Sequence, residues 1–304
     1  MTQFLIITST EDKASLNMRN KLINSDLFHF ENTSYSWENN KILKLKYINN
    51  SKKDEESFFD KNEVFLGLTK KRLILLDEIK LEPNTINPDI LLFASRHASK
   101  TERPSFLVHS TGIWNDDVVY GGSPRELSFT SAIMIKAGYL AIQESVIMHN
   151  MSKFSSDIEV SHHGPTNLKK PLIFMELGSN SREWEDNKAG IVTSSAIINS
   201  LIKYQSLIEN KTQKIGVGFG GTHYAPQFKK LIIKTDVAIS HICPKYFISS
   251  LDKDLINQML DKCLEKIEYF IIDWKGVNAA DKKHLIPLLE NYEIPIKKIK
   301  DFYV

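Results

Sequence analysis

Cysteine is scarce in this chain, and long apolar runs are absent. Its two cysteines, Cys243 and Cys263, form no Cys-x-x-Cys pair, which argues against a disulfide framework and favours a reducing compartment. No stretch reaches the roughly 18 uncharged apolar residues of a membrane span. The apolar run Phe4–Ile7 has no basic leader before it, so it is typical of a first strand rather than a signal peptide. We therefore expect a soluble, cytoplasmic protein with no membrane partner.

A surplus of one charge is also missing. The chain has 39 basic and 37 acidic residues, a net charge of +2, so no general attraction to nucleic acid is expected and DNA is not a predicted partner. Any contact with RNA must come from a local patch. The candidate residues for such a patch are Lys275, Lys297, Lys298 and Lys300. A solvated basic face is the alternative interpretation of the same lysines.

Size and composition predict one globular unit. The chain has 304 residues, of which 42% are hydrophobic, and this is enough to bury a full core. It contains no internal repeat and no linker rich in proline, glycine or serine. We predict a single compact domain over residues 1–304, with a less regular C-terminal part from about residue 240.

Short apolar runs rich in β-branched residues predict the strands. They are Phe4–Thr8, Leu73–Leu76, Ile90–Ala94, Ser105–His109, Leu172–Leu177, Ile215–Phe219 and Tyr269–Ile272. Longer segments predict helices over Asp12–Asn24, Leu127–Asn150, Lys188–Leu207, Asp254–Glu268 and Ala280–Asn291. This alternation indicates an α/β fold with a central mixed, largely parallel sheet flanked by helices. The polar segment 49–62 predicts a loop.

Candidate reactive side chains lie late in predicted strands or soon after an apolar run, which for His162 and His163 is Ile158–Val160. They are His97, His109, His162, His163, Glu176 and His223. In open α/β sheets, ligands bind outside the carboxyl ends of the strands. We therefore predict that these side chains meet in one cleft.

The segment 159–166 contains two adjacent histidines, His162 and His163, after Glu159. Neighbouring side chains diverge on a regular backbone, but a tight turn at Gly164-Pro165 would bring both imidazoles to one centre. Neutral imidazole is a common zinc ligand and a common general base. A surface loop with incidental histidines is the alternative.

A glycine-rich segment spans residues 216–226 and formally satisfies Gly-x-Gly-x-x-Gly. His223, Tyr224 and Pro226 stand where a phosphate-binding helix would already be running, which argues against a dinucleotide site. A turn that lets the backbone approach a substrate is the favoured interpretation, and a crowded strand-to-helix turn is the alternative. The predicted substrate contacts here are Gly218, Gly220, Gly221, Thr222 and Tyr224.

Three further patterns are ambiguous. Arg96 would bind a phosphate or a carboxylate, or form a surface ion pair, and its neighbour His97 would form a second metal site or an acid–base pair with His109. Residues 120–127 are typical of a helix start, with Ser123 as the N-cap and Glu126 closing a capping box. The His-x-Cys pair at 241–243 is a candidate zinc motif or simply buried.

Three stretches together resemble the archaeal and plant-type D-aminoacyl-tRNA deacylase family. They are SHHGPT at 161–166, GFGGTHYAP at 218–226 and GGSPREL at 121–127, and the similarity runs from about residue 3 to residue 300. The resemblance implies a monomeric, zinc-dependent esterase that acts on D-aminoacyl-tRNA. It also implies an α/β core similar to those of nucleoside phosphorylases and bacterial peptidyl-tRNA hydrolases.

The sequence hypothesis is metal-assisted ester hydrolysis at the 3′ end of tRNA. Zinc would be held by His162, His163 and His223, with His109 as a further candidate ligand, and would activate water. The predicted catalytic residues are His163, Glu159, Glu176 and His97, and amides of residues 218–221 would stabilise the oxyanion. The alternatives are a metallohydrolase or nucleoside-processing enzyme for a small substrate, and a non-catalytic tRNA-binding protein.

Overall fold

The computed structural model describes residues 1–49, 57–81 and 85–303. The strands are β1 (Thr2–Ser9), β2 (Phe28–Trp37), β3 (Asn40–Ile48), β4 (Asn62–Thr69), β5 (Ile90–Ala98), β6 (Ser105–His109), β7 (Ser155–Ile158), β8 (Leu172–Ser179), β9 (Lys214–Phe219), β10 (Val237–Cys243), β11 (Tyr269–Ile272) and β12 (Ile296–Lys298). The helices are α1 (Lys13–Ile23), α2 (Ala132–Met148), α3 (Ser181–Trp184), α4 (Asn187–Asn210), α5 (Pro226–Lys234), α6 (Lys253–Asp261) and α7 (Ala279–Leu289). Short 3-10 helices cover Leu73–Leu75, Lys245–Ser250 and Ile299–Phe302. Among the described residues, no helix is long and apolar enough to cross a membrane.

The larger sheet has eight strands in the order β2-β3-β4-β1-β5-β8-β6-β7. Its centre is parallel from β4 through β8, while β2 and β3 at one side and β6 against β8 at the other are antiparallel. Helices α1, α2 and α4 contribute to the core on one face. The predicted α/β class with a mixed, largely parallel sheet is confirmed.

The candidate site lies on the opposite face of this sheet. Paired residues in neighbouring strands share a face. Glu176 of β8 pairs with Ser95 of β5, and His109 of β6 pairs with Phe174, two residues before Glu176. Phe174 belongs to the smaller of the two hydrophobic clusters, away from the main helices. Strand β6 runs antiparallel to β8, so its carboxyl end does not lie at the same edge of the sheet as the carboxyl ends of β5 and β8. His109 and Glu176 therefore come together because they share a face of the sheet.

The second sheet is entirely parallel, in the order β10-β9-β11-β12. All four carboxyl ends therefore lie at one edge, which we call the C-terminal edge of the second sheet. Two backbone hydrogen bonds join this edge to the segment between β7 and the adjacent histidines: Val160 N–H donates to His223 O at 3.0 Å and Ser161 N–H donates to Ile242 O at 3.1 Å. Apolar residues of both sheets belong to one cluster. The division of the chain into domains stays a prediction.

Several sequence predictions of local structure are wrong. Leu73–Leu76 is not a strand: Leu73–Leu75 form a 3-10 turn that buries Leu73 and Leu76 on one side, as expected for a period of three. The helix predicted from Leu127 begins at Ala132, after the N-cap Ser131. The helix predicted over Asp254–Glu268 ends at Asp261.

The predicted helix start at Ser123 and the predicted loop 49–62 also differ from the structure. Ser123 does not cap a helix; its hydroxyl donates to Asn167 Oδ1 at 3.0 Å, and Arg125 has a left-handed φ of 52°. Of the predicted loop 49–62, residues 57–59 are helical and Asn62 begins β4, while residues 50–56 lie outside the described part of the chain.

Candidate functional site

Seven side chains that carry chemistry meet in and beneath one cleft of about 440 Å³. They are His97, His109, Glu159, His162, His163, Glu176 and His223. Five of them line the cleft, whereas His109 and Glu159 are fully buried beneath it. The predicted convergence of the histidine segments on one place is thus what the structure shows.

The two adjacent histidines face one centre because of the backbone at His163. Its φ is +44°, in the left-handed region, which costs a non-glycine residue about 1 kcal/mol or more. This reverses the usual divergence of neighbours, and the two imidazole rings have their centroids 4.4 Å apart. The indole of Trp114 holds the preceding turn by donating from Nε1 to Ser161 O at 2.7 Å.

Three imidazoles have a fixed tautomer. Nδ1 of His109 lies 3.0 Å from Ser110 O, Nδ1 of His162 lies 2.9 Å from Val160 O, and Nδ1 of His163 lies 2.6 Å from Gly164 O. A carbonyl oxygen only accepts, so each Nδ1 carries the hydrogen and donates it. When such a ring is neutral, its Nε2 atom is left with a free lone pair, the form in which imidazole binds a metal.

These Nε2 atoms face two buried carboxylates. His109 Nε2 is 3.8 Å from Glu159 Oε2 and 3.7 Å from Glu176 Oε1, and His163 Nε2 is 3.8 Å from Glu176 Oε1. Such distances exceed a hydrogen bond but are close to the separation, about 3.3 Å, of two atoms bound to one tetrahedral zinc ion. His109 Nε2 and Glu159 Oε2 are buried without a hydrogen-bond partner. The donor set therefore fits a metal ion.

The potential ligand atoms form three overlapping groups, each with its atoms within 4.8 Å of one another. The groups are His109 with His162 and His163, Glu159 with His162 and His223, and His97 with Glu159 and Glu176. The hypothesis had joined His162 and His163 to His223. The structure instead groups the first two with His109, and places His223 Nε2 against Glu159 Oε1 at 2.9 Å.

Burial and neighbouring charges set the protonation of the site. Burial would raise the pKa of Glu176, but the surrounding histidines lower it well below its ordinary value. Burial would likewise lower the pKa values of His97 and His109, but the two glutamates outweigh it and raise both. For His162, burial and the neighbouring histidines act together and lower the pKa well below its ordinary value. Glu176 is thus held as a carboxylate and His162 as a neutral ring, as metal binding requires.

A polar chain leads from His97 to the far side of the site. His97 Nδ1 is 3.4 Å from Glu176 Oε2, and His97 Nε2 is 3.3 Å from the hydroxyl of Tyr224. The guanidinium of Arg103 lies 4.5 Å from the centre of the Tyr224 ring and its Nη2 is 2.7 Å from Asp157 Oδ2. Tyr224, predicted as a substrate contact, is therefore placed next to His97.

The glycine-rich turn does not offer the predicted row of free amides. Gly218 lies inside β9, between β10 and β11, and the N–H of Gly220 donates to Cys243 O at 2.8 Å. Gly220 and Gly221 have φ values of +102° and +81°, so the turn needs glycine for its shape. Thr222 O accepts from Ala225 N at 2.9 Å. The amide of Gly220 is therefore not free to bind an oxyanion, and Gly220 and Gly221 shape the turn that presents His223. An oxyanion role for the other amides of residues 218–221 stays a prediction.

Of the other candidate residues, Arg96 lies at the cleft, whereas His241 and Cys243 do not. Arg96 lines it, with its guanidinium 5.3 Å from the centre of the Trp184 ring. His241 and Cys243 are fully buried in β10, behind the cleft, and belong to none of the three potential metal groups. The zinc motif considered for this pair is wrong, and burial, the alternative interpretation, is right.

The predicted lysines lie together at the C-terminal edge of the second sheet. Lys275 follows β11, Lys297 and Lys298 belong to β12, and Lys300 is in the 3-10 helix after it. None of them lines the cleft. A role in binding tRNA stays a prediction for these four residues.

Sequence reasoning did not identify Asp12 as part of the site. Asp12 follows the carboxyl end of β1, caps α1 through Ser15 N at 2.9 Å, and accepts from Arg96 N at 2.8 Å. It lines the cleft, and burial raises its pKa. Its position after a parallel strand, like that of the histidine segments, was the available signal.

Known proteins resemble this chain over most of its length. The family model for D-aminoacyl-tRNA deacylases matches residues 84–297. The D-aminoacyl-tRNA deacylase of Thermococcus kodakarensis is 31% identical over 300 residues, covering 98% of this chain and 99% of the relative. The crystal structure of a conserved protein of unknown function superposes with a TM-score of 0.76 and 27% identity, covering 99% of this chain and 96% of that chain.

A methylthioadenosine phosphorylase from Schistosoma mansoni superposes over 69% of this chain and 93% of its own, with a TM-score of 0.34 and 9% identity. The family model and the relative each match most of the chain. They confirm the resemblance and the enzyme class predicted from the histidine and glycine motifs. This chain belongs to the D-aminoacyl-tRNA deacylase family.

Proposed function

We propose that this chain hydrolyses the ester bond between a D-amino acid and the 3′ end of tRNA, releasing the free amino acid and tRNA. The observation that carries the proposal is the set of three imidazoles, His109, His162 and His163, whose Nε2 atoms face buried carboxylates beneath an open cleft. The family model and the names of the relatives supply the substrate class. We also propose that the enzyme is a monomer, as the resemblance to the family implies.

Zinc is the metal that best suits this donor set. Three neutral imidazoles with one position left open are a common catalytic zinc site. His109, His162 and His163 would hold the ion, with Glu159 and His223 beside it. A bound zinc ion would supply a Lewis acid and would make water a stronger nucleophile at neutral pH.

The chain's own residues would manage the protons and the substrate. Because His97 Nδ1 faces Glu176, its hydrogen lies on that side and Nε2 is the atom that exchanges a proton. His97 Nε2 would accept a proton from the attacking water and return it to the ribose oxygen as the ester bond breaks. Arg96 and Arg72 line the same cleft and would bind the terminal phosphate.

The test is deacylation of D-Tyr-tRNA and L-Tyr-tRNA by the purified protein, together with its zinc content. We expect release of D-tyrosine, little release of L-tyrosine, and about one zinc ion per chain. His163→Ala should abolish deacylation while tRNA binding persists. His29→Ala, at a histidine in β2 that is 45% exposed, is the matched control and should be fully active.

Other results would favour the alternatives. Unchanged turnover in His163→Ala would remove His163 from the mechanism. Cleavage of nucleosides with phosphate, without deacylation, would favour a nucleoside-processing enzyme. Tight tRNA binding without hydrolysis or zinc would favour a non-catalytic binding protein.

A further inference from the structure

The C-terminal edge of the second sheet carries a basic and aromatic surface that the proposed reaction does not use. Trp274 follows β11 and is 38% exposed. The ammonium groups of Lys282 and Lys298 lie 4.6 Å and 4.2 Å from the centre of its ring. Lys275, which follows Trp274, and Lys300, two residues after Lys298, are both exposed. We call Trp274 with these four lysines the Trp274 surface.

This surface comes from four elements near one edge of the second sheet, the last of them the 3-10 helix that contains Lys300. Trp274 and Lys275 follow the carboxyl end of β11, Lys298 ends the adjacent strand β12, and Lys282 is in the first turns of α7. In a parallel sheet this edge is where ligands bind. The cations are therefore brought together by the topology and are not scattered along one helix.

The ammonium groups of the Trp274 surface are available to a negatively charged partner. In the described part of the chain, no carboxylate oxygen lies within 4.0 Å of any of their ammonium groups. The nearby acids are otherwise engaged: Asp273 Oδ1 accepts from Gly276 N at 3.2 Å and Asp301 Oδ2 accepts from Lys298 N at 2.8 Å. A net charge of only +2 over the whole chain makes such a local concentration distinctive.

The elements that carry the Trp274 surface are close in the fold to the turn that carries His223. Asp273 N–H donates to Phe219 O at 2.9 Å, which joins the end of β11 to the end of β9. Gly276 lies so close to Gly221 that a Cβ there would come within 2.9 Å of Gly221 N. Gly221 leads within two residues to His223 of the site. One strand spacing, about 4.8 Å, therefore separates the strand before Trp274 from the strand that leads to His223.

We propose that the Trp274 surface binds the unpaired 3′-terminal nucleotides of the tRNA while the aminoacyl ester lies in the cleft. This rests on the proposed function. The indole provides a face on which an unstacked base stacks once the lysine side chains that contact the ring turn from it to the phosphates of the same nucleotides. Single-stranded RNA is the partner that needs both features together, because a paired duplex would leave the indole without a base to contact.

The experiment compares a long and a short substrate. D-aminoacyl-tRNA extends over the Trp274 surface, whereas a D-aminoacyl ester of adenosine occupies the cleft alone. Trp274→Ala should raise KM for the tRNA about tenfold and leave hydrolysis of the adenosine ester unchanged, and Trp274→Phe should restore most of the loss. Lys282→Gln with Lys298→Gln should reduce the slope of log KM against log salt by about 1 to 2.

Tyr47→Ala and Lys41→Ala are the matched controls. Both residues are exposed on β3, next to the edge strand β2 of the larger sheet. Neither change should alter KM for the tRNA. If the Trp274 and lysine variants have the wild-type KM for the tRNA and the wild-type salt dependence, this proposal alone is overturned. It is also overturned if the control variants raise KM for the tRNA as much as Trp274→Ala does. A wild-type protein that cleaves neither substrate would overturn the proposed function and this proposal with it.

Discussion

The hydroxyl oxygens of Ser110 and Ser161 lie 2.7 Å apart, each beside a histidine of the site. Ser110 follows His109 and Ser161 precedes His162. Both hydroxyls also face Nδ1 of His241, at 3.3 Å and 3.1 Å. A side chain of β10 thus joins the two backbone segments that carry predicted metal ligands. Because such outer contacts orient ligands, this buried group should affect metal binding without touching the metal.

Ser161→Ala should weaken zinc binding about tenfold, since removal of an outer contact typically costs a metal site 10- to 100-fold in affinity. Competition with a chromogenic chelator measures this directly. Ser145→Ala is the matched control, because Ser145 in α2 is equally buried and its hydroxyl has no hydrogen-bond partner. Equal zinc affinity in both variants and the wild type would show that the Ser110–Ser161 contact does not hold the ligands in place.

His241 should make the stability of the protein depend on acid pH. Burial, with a smaller effect of the Lys262 charge, lowers the pKa of His241 to about 3 from 6.5. Between these values the unfolded chain binds a proton that the folded protein does not, so the free energy of unfolding falls as the pH drops from about 6.5 to about 3. One group contributes at most about 1.4 kcal/mol per pH unit.

The measurement is urea unfolding of the wild type and His241→Gln over that pH range. We expect the slope of the free energy of unfolding against pH to be smaller in the variant by up to this amount. Comparing slopes removes any constant loss of stability from the substitution. Parallel curves for the two proteins would mean that His241 has the same pKa folded and unfolded.

Zinc should stabilise the protein through His109, whose Nε2 is buried without a hydrogen-bond partner. A ligand at a thousandfold excess over its Kd stabilises the folded state by about 4 kcal/mol. Wild-type protein stripped with a chelator should therefore melt at a lower temperature and recover when zinc is added. His109→Ala should show no such recovery, whereas His29→Ala should behave like the wild type. A zinc-dependent melting temperature in His109→Ala would exclude His109 as a ligand.

The sequence was sufficient to place the main site residues in one cleft because most of them follow apolar strands. It was insufficient where a distant side chain decides local structure. Ser123 begins a plausible capping box, yet α2 starts at Ala132, whose N–H donates to Glu265 Oε2 at 2.9 Å. Glu265 lies 133 residues further along, and no local pattern indicates such a contact. The antiparallel direction of β6, which sets the position of His109, depends on its pairing with the distant strand β8. No local pattern indicates that direction either.

Asp157 should be important for stability as well as for the site. Its buried carboxylate contacts Arg103 Nη2 at 2.7 Å and also binds Lys229. Asp157→Asn would leave two cations without their counter-charge. Because Arg103 is 46% and Lys229 29% exposed, water partly screens them, and we expect a loss of about 1 to 3 kcal/mol. Arg103 would also be less firmly held against Tyr224, so we expect kcat to fall several-fold while zinc content stays the same.

Glu185→Gln is the control for Asp157→Asn. Glu185 pairs with Lys13 at 3.0 Å, but both side chains are more than half exposed, at 58% and 59%. Water screens such a pair, so its loss should change the free energy of unfolding by less than about 1 kcal/mol. Urea unfolding of the two variants at pH 7 compares them directly. If Asp157→Asn cost no more than Glu185→Gln, the buried carboxylate would not hold Arg103 and Lys229 in place, and another contact would have to fix Arg103 beside Tyr224 and His97.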